Sequence, residues 1–160
     1  MKEVKIESTF FLYNDVKDIP ADAQQLMQKA SIARDNAYAP YSKFHVGAAI
    51  LLDNKEVVTG SNQENASYPS GLCAERTAIY YAGAKYPKVK ILKMAIIAGS
   101  TKTTTTKPIP PCGACRQAIA EYEIKQESPI EIYFMGETGQ VLKSNSLANL
   151  LPLLFDKSVL

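Results

Sequence analysis

Hydrophobic and polar positions follow two rhythms along the chain, and these rhythms predict helices and strands. After the helix-start signal Ile19-Pro20-Ala21-Asp22, apolar residues recur at spacings of three and four, which predicts an amphipathic helix that ends before Pro40. Continuous apolar runs at residues 44–52 and 91–98 predict buried strands. The other predicted elements are strands at residues 57–61, 130–134 and 140–142, helices at 73–82 and 112–122, and a short last helix at 147–151.

Helices that alternate with buried strands predict an α/β fold with helices on both sides of a mixed sheet. The apolar runs are too continuous for a sheet that has one face in water. A length of 160 residues fits one domain, so we expect residues 1–160 to form a single domain, with residues 1–20 as a possible N-terminal extension. Residues 4–13 mix β-branched and aromatic side chains and could form a strand or an added arm. Residues 100–111 contain three prolines and four consecutive threonines, which predicts an exposed connection.

Composition and charge exclude several classes of protein. Hydrophobic residues make up 46% of the chain and charged residues 21%, as in ordinary globular proteins, so global disorder is not expected. The net charge is only +2 and no basic run is present, whereas nucleic-acid-binding proteins usually carry a concentrated basic face. No stretch approaches the roughly 20 apolar residues that span a bilayer, and the charged N-terminus does not resemble a signal peptide. We therefore expect a cytoplasmic protein without nucleic-acid or membrane partners.

Three cysteines, Cys73, Cys112 and Cys115, suggest thiolate chemistry or metal binding, because an odd number argues against a disulfide framework. Cys112 and Cys115 form a C-x-x-C motif that opens a predicted helix, and Cys73 opens another. Thiolates at two helix starts would provide a cation site with one position unfilled, which suits zinc. Spacing alone leaves two alternatives open: a dithiol redox pair, or three reduced cysteines that pack as small hydrophobes.

The residues beside the cysteines resemble a known family. Cys73-Ala74-Glu75-Arg76 together with Pro111-Cys112-Gly113-Ala114-Cys115-Arg116 is similar to the signature of the zinc nucleobase deaminases, which includes a three-cysteine variant. The segments Tyr41-Ser42-Lys43-Phe44-His45-Val46-Gly47-Ala48-Ala49 and Asn62-Gln63-Glu64-Asn65-Ala66-Ser67-Tyr68 resemble the cytidine deaminases of the small, homotetrameric, three-cysteine class. The likeness runs from about residue 22 to residue 155. It implies a three-layer α-β-α sandwich around a mixed five-stranded sheet.

The resemblance implies a metal centre and its chemistry. One Zn²⁺ per chain would be held by Cys73, Cys112 and Cys115, and would supply hydroxide for attack on C4 of cytosine. Glu75 would be the catalytic proton shuttle, delivering protons to ring N3 and then to the departing amino group. Arg76 would donate to thiolate sulfur and offset the excess negative charge of three thiolates on one zinc ion. The alternatives are an ordinary helix glutamate and a solvated surface arginine.

The resemblance also implies how a nucleoside would bind. Asn62 and Glu64 would hold the ribose 3′-hydroxyl, which would allow deoxycytidine to bind as well. Phe44 would pack on the pyrimidine ring, and the backbone of Ala74 would hydrogen-bond the edge of the base. The alternatives are a polar edge strand at residues 62–64 and a phenylalanine that is simply part of the core.

Two further aromatic residues match positions that the family uses between subunits. Phe155 would enter the site of a neighbouring subunit, and Tyr68 would reach across the same interface, in a homotetramer whose sites neighbouring subunits complete. Alternatively, the C-terminal apolar run covers its own domain. His45 follows Phe44 and should face the opposite side of the strand, so we expect it to be structural.

The function implied is zinc-dependent hydrolytic deamination of cytidine and deoxycytidine to uridine and deoxyuridine, with release of ammonia, in pyrimidine salvage. A deaminase for another aminated nucleoside, such as an antibiotic of the blasticidin type, is the nearest alternative. Editing of a polynucleotide would need a basic channel for the strand, and a net charge of only +2 does not indicate one. A binding module with a structural zinc ion and a dithiol redox protein are the remaining alternatives.

Overall fold

The computed structural model describes the backbone of residues 1–160 and every side chain except that of Val159. The α-helices of the described chain are α1 (Ala21–Asp35), α2 (Ala74–Lys85) and α3 (Gly113–Gln126). The strands are β1 (Phe11–Tyr13), β2 (Phe44–Leu52), β3 (Val57–Ser61), β4 (Ile91–Ser100), β5 (Glu131–Met135) and β6 (Val141–Ser144).

The six strands form one mixed sheet in the order β1-β6-β5-β4-β2-β3. Strands β4 and β5 are parallel, and the other neighbouring pairs are antiparallel. The predicted α/β class is confirmed, but the sheet has six strands where the resemblance implied five. The additional strand is β1, which pairs with β6 from Phe11 opposite Lys143 to Tyr13 opposite Val141. Only the last three residues of the segment 4–13 are therefore strand.

Helices cover both faces of the sheet, as predicted. Successive side chains of a strand point to opposite faces, so the two faces collect different residues of the same strand. On one face, Ala48 and Ile50 of β2 pack in a core cluster with residues of α2 and α3. On the other face, Ala49 belongs to a second cluster with Leu26 and Met27 of α1. The molecule is thus a three-layer sandwich with α1 on one side and α2 and α3 on the other.

The starts of α2 and α3 differ from prediction by one residue, and the difference shapes the site. Cys73 and Cys112 precede their helices as N-caps with extended backbone, at φ −72°, ψ 156° and φ −66°, ψ 167°. The side chain of an N-cap residue lies at the end of the helix, beside its free backbone N–H groups. The two thiols are therefore presented at helix ends instead of on helix sides.

The C-terminal part of the chain is less helical than predicted. The predicted last helix is a single 3₁₀ turn at Leu147–Asn149, which Ser146 caps by accepting from the backbone N–H of Ala148 at 3.1 Å. Along the described chain, the helices are all too short or too polar to cross a lipid bilayer.

Candidate active site

Three thiol sulfurs converge where the N-terminal ends of α2 and α3 meet. The Sγ atom of Cys112 lies 3.8 Å from Sγ of Cys73 and 3.5 Å from Sγ of Cys115, and all three sulfurs lie within 4.8 Å of one another. Sulfurs that each sit about 2.3 Å from one tetrahedral zinc ion are about 3.8 Å apart. The three side chains therefore fit a single zinc ion, with the fourth position left for another ligand.

The three sulfurs differ in proton affinity. Hydrogen bonds from the Cys115 thiol and from Arg76 lower the pKa of Cys73 to about 5. The same hydrogen bond to Cys73, together with burial, raises the pKa of Cys115. Arg76 Nη2 lies 3.7 Å from Cys73 Sγ, and the hydrogen bond to this sulfur, followed by its charge, raises the pKa of the arginine in turn. The cluster thus already holds a thiolate beside a cation, which favours metal binding because thiolates, not thiols, are ligands.

Glu75 is the buried acid of this region, with only 4% of its surface exposed. It is the second residue of α2 and lies in the first turn, two positions after the N-cap Cys73. Burial, with a smaller contribution from the Cys73 charge, raises the pKa of Glu75 to about 7. A carboxyl group with such a pKa can accept and donate a proton near neutral pH.

A cleft of about 650 Å³ opens above the cysteines, and its wall includes Glu75, Cys73 and Cys112. This volume lies in the usual range for sites that bind small molecules. Its lining is largely apolar. The apolar lining residues include Phe44, Val46, Leu72, Ile96, Ala98 and Ile109.

Asn62 and Glu64 both line the cleft, on the segment that follows β3. The Asn62 side chain joins this segment to β2, because Oδ1 accepts from the Val46 backbone N–H at 2.8 Å and Nδ2 donates to the Phe44 carbonyl at 2.9 Å. Glu64 Oε2 accepts from the backbone N–H groups of Tyr41 and Ser42 at 2.9 and 3.2 Å. Hydrogen bonding, first from the Ser42 side chain, lowers the pKa of Glu64. These hydrogen bonds therefore hold the Glu64 carboxylate in a fixed position in the cleft wall.

Only some of the other expected substrate-binding residues line the cleft. Phe44 and Tyr68 line the cleft, and the Tyr68 ring lies 6.0 Å from that of Tyr41. Ala74 is fully buried at the first position of α2. Phe155 does not belong to the described lining of this cleft: its side chain is 62% exposed, and its carbonyl accepts from Gln117 Nε2 at 3.0 Å.

Several residues of the site were not found by sequence reasoning. The backbone N–H groups of Tyr41 and Ser42 hold Glu64, and Ile109 and Pro110 form part of the cleft wall. Every residue type except proline has a backbone N–H, so residue type could not identify Tyr41 and Ser42 as donors. Ile109 was missed because it lies in a segment that we expected only to be an exposed connection. The two prolines immediately before Cys112 were the available signal, because they restrict the approach of the chain to α3.

A family model described as "Cytidine and deoxycytidylate deaminase zinc-binding region" matches residues 20–128 of the chain. The chain belongs to this deaminase family. The match includes all three cysteines and Glu75, so the cysteine cluster corresponds to the zinc-binding region of a hydrolytic deaminase and fits one zinc ion per chain. The two alternatives left open by spacing, a redox dithiol and three packed core cysteines, are not needed to explain the cluster.

Similar proteins support the same family. A cytidine deaminase from Halalkalibacterium halodurans is 46% identical over 100 residues, which cover 62% of this chain and 71% of the relative. A cytidine deaminase from Sporosarcina psychrophila is 37% identical over 136 residues, covering 85% and 93% of the two chains. The crystal structure of cytidine deaminase from Burkholderia pseudomallei is 36% identical with a TM-score of 0.71, covering 86% of this chain and 100% of that one. Because the family match begins at residue 20, strand β1 lies outside it.

Proposed function

We propose that the protein hydrolyses cytidine and deoxycytidine to uridine and deoxyuridine with release of ammonia. In this reaction the oxygen of water becomes bonded to C4 of the base, and the bond from C4 to the amino nitrogen breaks. The observation that carries the proposal is the convergence of three cysteine sulfurs beside the buried Glu75, where Glu75, Cys73 and Cys112 line a cleft of about 650 Å³. Cytidine deaminases among the similar proteins support this choice of substrate.

The residues of the cleft would divide the chemistry between them. Zinc, when bound by the three cysteines, lowers the pKa of water and so supplies a nucleophile near neutral pH. Glu75 would take one proton from the attacking water and place it on ring N3, and would then move the remaining proton of that oxygen to the departing amino group. Arg76 would stay hydrogen-bonded to Cys73 Sγ and neutralise part of the thiolate charge.

The base of the nucleoside would lie against apolar lining residues such as Phe44, and its ribose would lie at Asn62 and Glu64. Phe44 would contact the pyrimidine ring, and the Ala74 backbone would hydrogen-bond its edge. Glu64 would accept from the ribose 3′-hydroxyl, because one of its carboxylate oxygens is not used by the Tyr41 and Ser42 amides. Asn62 would donate to the same hydroxyl with the second hydrogen of Nδ2, since the first is given to the Phe44 carbonyl.

A nucleoside fits the charges of the cleft better than a nucleotide does. Arg76 is the cationic side chain among the described lining residues, and its guanidinium is directed at Cys73. A 5′-phosphate would therefore meet no free cation on these walls and would lie near the anionic Glu64. This argument supports cytidine and deoxycytidine over deoxycytidylate.

We also propose a homotetramer in which neighbouring subunits complete each site. The side chains of Phe155 and Tyr68 are 62% and 76% exposed, so both are available to a second copy of the chain. Phe155 would enter the neighbour's cleft, and Tyr68, which lines the cleft of its own chain, would reach across the same interface. Exposed aromatic side chains are frequent at subunit interfaces.

The setting of the protein is part of the proposal. Three free cysteines at a metal site fit the reducing cytoplasm, where the product nucleosides would enter pyrimidine salvage. We infer that residues 1–160 form a single deaminase-like domain, because β1 extends the same sheet through its pairing with β6. Residues 1–20 would be an N-terminal extension of this domain, which contributes β1 to the sheet.

Replacing the proposed proton shuttle tests the function. In Glu75→Gln the side chain keeps its shape but cannot shuttle a proton, so we expect kcat for cytidine to fall by at least about 100-fold. The zinc content should remain near one ion per chain. The matched control is Glu56→Gln, which makes the same chemical change at an exposed position between β2 and β3 and should retain full activity. Loss of absorbance from cytidine and release of ammonia measure the reaction.

Two results would contradict the proposal. A Glu75→Gln protein that deaminates cytidine as fast as the wild type would remove Glu75 from the mechanism. A wild-type protein that prefers deoxycytidylate, single-stranded DNA or an aminated antibiotic nucleoside in a side-by-side substrate panel would show that the assigned substrate is wrong.

A further inference from the structure

The threonine-rich segment 101–107 is held against the turn between β5 and β6 by the side chain and the backbone of Glu137. Glu137 Oε2 accepts from the backbone N–H of Thr105 at 2.9 Å. The backbone N–H of Glu137 donates to the Thr105 carbonyl at 2.7 Å. Both backbone groups of Thr105 are thus hydrogen-bonded, in a segment whose composition alone predicts an exposed connection.

The same carboxylate is paired with Arg34 at the end of α1. Arg34 Nη2 donates to Glu137 Oε1 at 2.7 Å, and the two side chains are only 17% and 23% exposed. Arg34 Nε donates to the carbonyl of His45 in β2 at 3.2 Å. This arrangement, which we call the Arg34–Glu137 pair, therefore joins helix α1, strand β2, the β5–β6 turn and the segment 101–107.

Small residues make room for this arrangement. A Cβ atom on Gly99 would lie 2.3 Å from Glu137 Cγ, and one on Gly136 would lie 2.3 Å from the Thr105 carbonyl oxygen. Real Cβ atoms do not approach other atoms so closely, so side chains at these positions would displace Glu137 or Thr105. The pair is therefore enclosed by the fold, unlike an ion pair on an open surface.

Each residue of the pair is hydrogen-bonded to a chain segment that also lines the substrate cleft. His45 follows Phe44, which lines the cleft, and the segment held by Glu137 continues to the lining residues Ile109 and Pro110 and then to Cys112. A second link joins the same two walls, because the backbone N–H of Thr101 donates to the Lys43 carbonyl at 3.0 Å. Neither Arg34 nor Glu137 is among the described lining residues.

We propose that Arg34 and Glu137 are positioning residues that set the spacing between two walls of the substrate cleft, the start of β2 with Phe44 and the segment that ends at Cys112. This inference rests on the proposed binding of a nucleoside in that cleft. A shift of these walls changes how firmly the base is held without removing any group that takes part in proton transfer. The pair acts through ground-state and transition-state binding together, so its loss raises KM more than it lowers kcat.

The lowered pKa of Glu137 is consistent with this role. The Thr105 backbone N–H is the first cause of the lowering, and Arg34 adds to it. The carboxylate therefore remains charged, and the pair remains formed, at the pH of a neutral assay.

The experiment compares Glu137→Gln, Arg34→Gln and the double variant with the wild type. In Glu137→Gln the new amide oxygen can still accept from Thr105 but no longer balances the guanidinium charge, so we expect KM for cytidine to rise about tenfold while kcat changes less. The double variant should be hardly worse than either single one, since residues of one interaction are not additive. Arg34→Lys keeps the charge but loses the contact with His45, and should give an intermediate KM. The control is Glu7→Gln, which removes the carboxylate of an exposed ion pair with Lys5 and should leave KM unchanged.

Limited trypsin digestion provides a readout that does not depend on turnover. The bond after Lys102 lies in the held segment, and we expect cleavage there to be faster in both single variants than in wild type and in Glu7→Gln. Variants that only lose thermal stability, with wild-type KM and wild-type cleavage at Lys102, would overturn the inference while leaving the proposed function intact. A wild-type protein that does not deaminate cytidine would overturn the proposed function, and this inference with it.

Discussion

The Arg76 side chain lies beside the cysteine cluster, where our proposal gives it the role of balancing the cluster's charge. Three thiolates and one Zn²⁺ sum to a formal charge of −1, and the Arg76 guanidinium lies 3.7 Å from Cys73 Sγ. Its Nε atom is buried and has no hydrogen-bond partner among the described residues. The side chain thus lies beside the sulfurs although its Nε–H group loses hydration there without gaining a hydrogen bond.

We expect Arg76→Gln to weaken zinc binding by about 10- to 100-fold, because such partners of metal ligands typically contribute that much to affinity. Competition with a chromophoric chelator measures the affinity. The control is Lys85→Gln, which removes a positive charge from the exposed far end of the same helix and should leave zinc binding unchanged. Equal zinc affinities for Arg76→Gln and wild type would mean that the guanidinium does not act on the metal site.

At the scale of residues, the sequence predicted which residues belong to the site better than it predicted their contacts. The cysteines, Glu75 and Arg76 could be named from the sequence because the two short motifs that contain them resemble the signature of the zinc nucleobase deaminases. The contacts of Asn62 could not be predicted, since its hydrogen bonds to the Phe44 carbonyl and the Val46 N–H depend on how β2 and the segment after β3 lie against each other.

At the scale of elements, the distance between α1 and β2 is set by a glycine. A Cβ atom on Gly47 would lie 2.0 Å from the Ala30 carbonyl oxygen and 2.5 Å from the Arg34 nitrogen. Both neighbours are helix backbone and cannot rotate away. The helix therefore packs directly on the strand backbone, and this brings Arg34 within reach of the His45 carbonyl.

We expect Gly47→Ala to lower the free energy of unfolding by about 3 kcal/mol, because overpacking against backbone forces the helix away from the sheet. Thermal or denaturant unfolding measures the change. Gly113→Ala is the control: its new Cβ would meet no atom within 4 Å, and alanine favours the first turn of α3. A Gly47→Ala protein as stable as Gly113→Ala would show that α1 can move without cost.

At the scale of the whole molecule, an ion cluster ties α1 to three strands. Lys93 of β4 contacts Asp22 of α1 at 2.8 Å and Glu131 of β5 at 3.1 Å, and Lys143 of β6 contacts Glu131 at 2.7 Å. Burial acts to raise the pKa of Glu131, but hydrogen bonds from Lys143 and Lys93 outweigh it and the net shift is downward. Lys143 also lies 5.9 Å from the ring of Phe11, so the cluster extends to β1.

This cluster predicts a loss of stability in acid. A carboxylate whose pKa is lower in the folded state stabilises the fold fully above its unfolded pKa, and the stabilisation is lost as the pH falls through the folded pKa. We expect Glu131→Gln to be less stable than wild type by about 1–2 kcal/mol at pH 7. The difference should shrink as the pH falls below the ordinary pKa of 4.5. Denaturant unfolding at pH 7 and pH 3 tests this, and a difference that is the same at both pH values would contradict it.

The sequence by itself determined the approximate positions of the three α-helices and of the two long buried strands, β2 and β4. Each of these depends on residues that are close along the chain, through periodicity, turn residues and caps, so local patterns are sufficient to predict them. The three-layer arrangement follows from the same patterns, because strands that are apolar on both faces must be covered on both faces.

Only the tertiary structure decided which distant segments meet. Cys73 contacts Cys112, which is 39 positions away, and Glu137 accepts a hydrogen bond from Thr105, which is 32 positions away. Strand β1, near the N-terminus, pairs with β6, near the C-terminus. Such contacts arise when helices and strands pack to bury their apolar faces, and the polar groups brought together then pair with whatever lies opposite. No local pattern specifies the partner, so the geometry of the cleft and of the Arg34–Glu137 pair had to come from the fold.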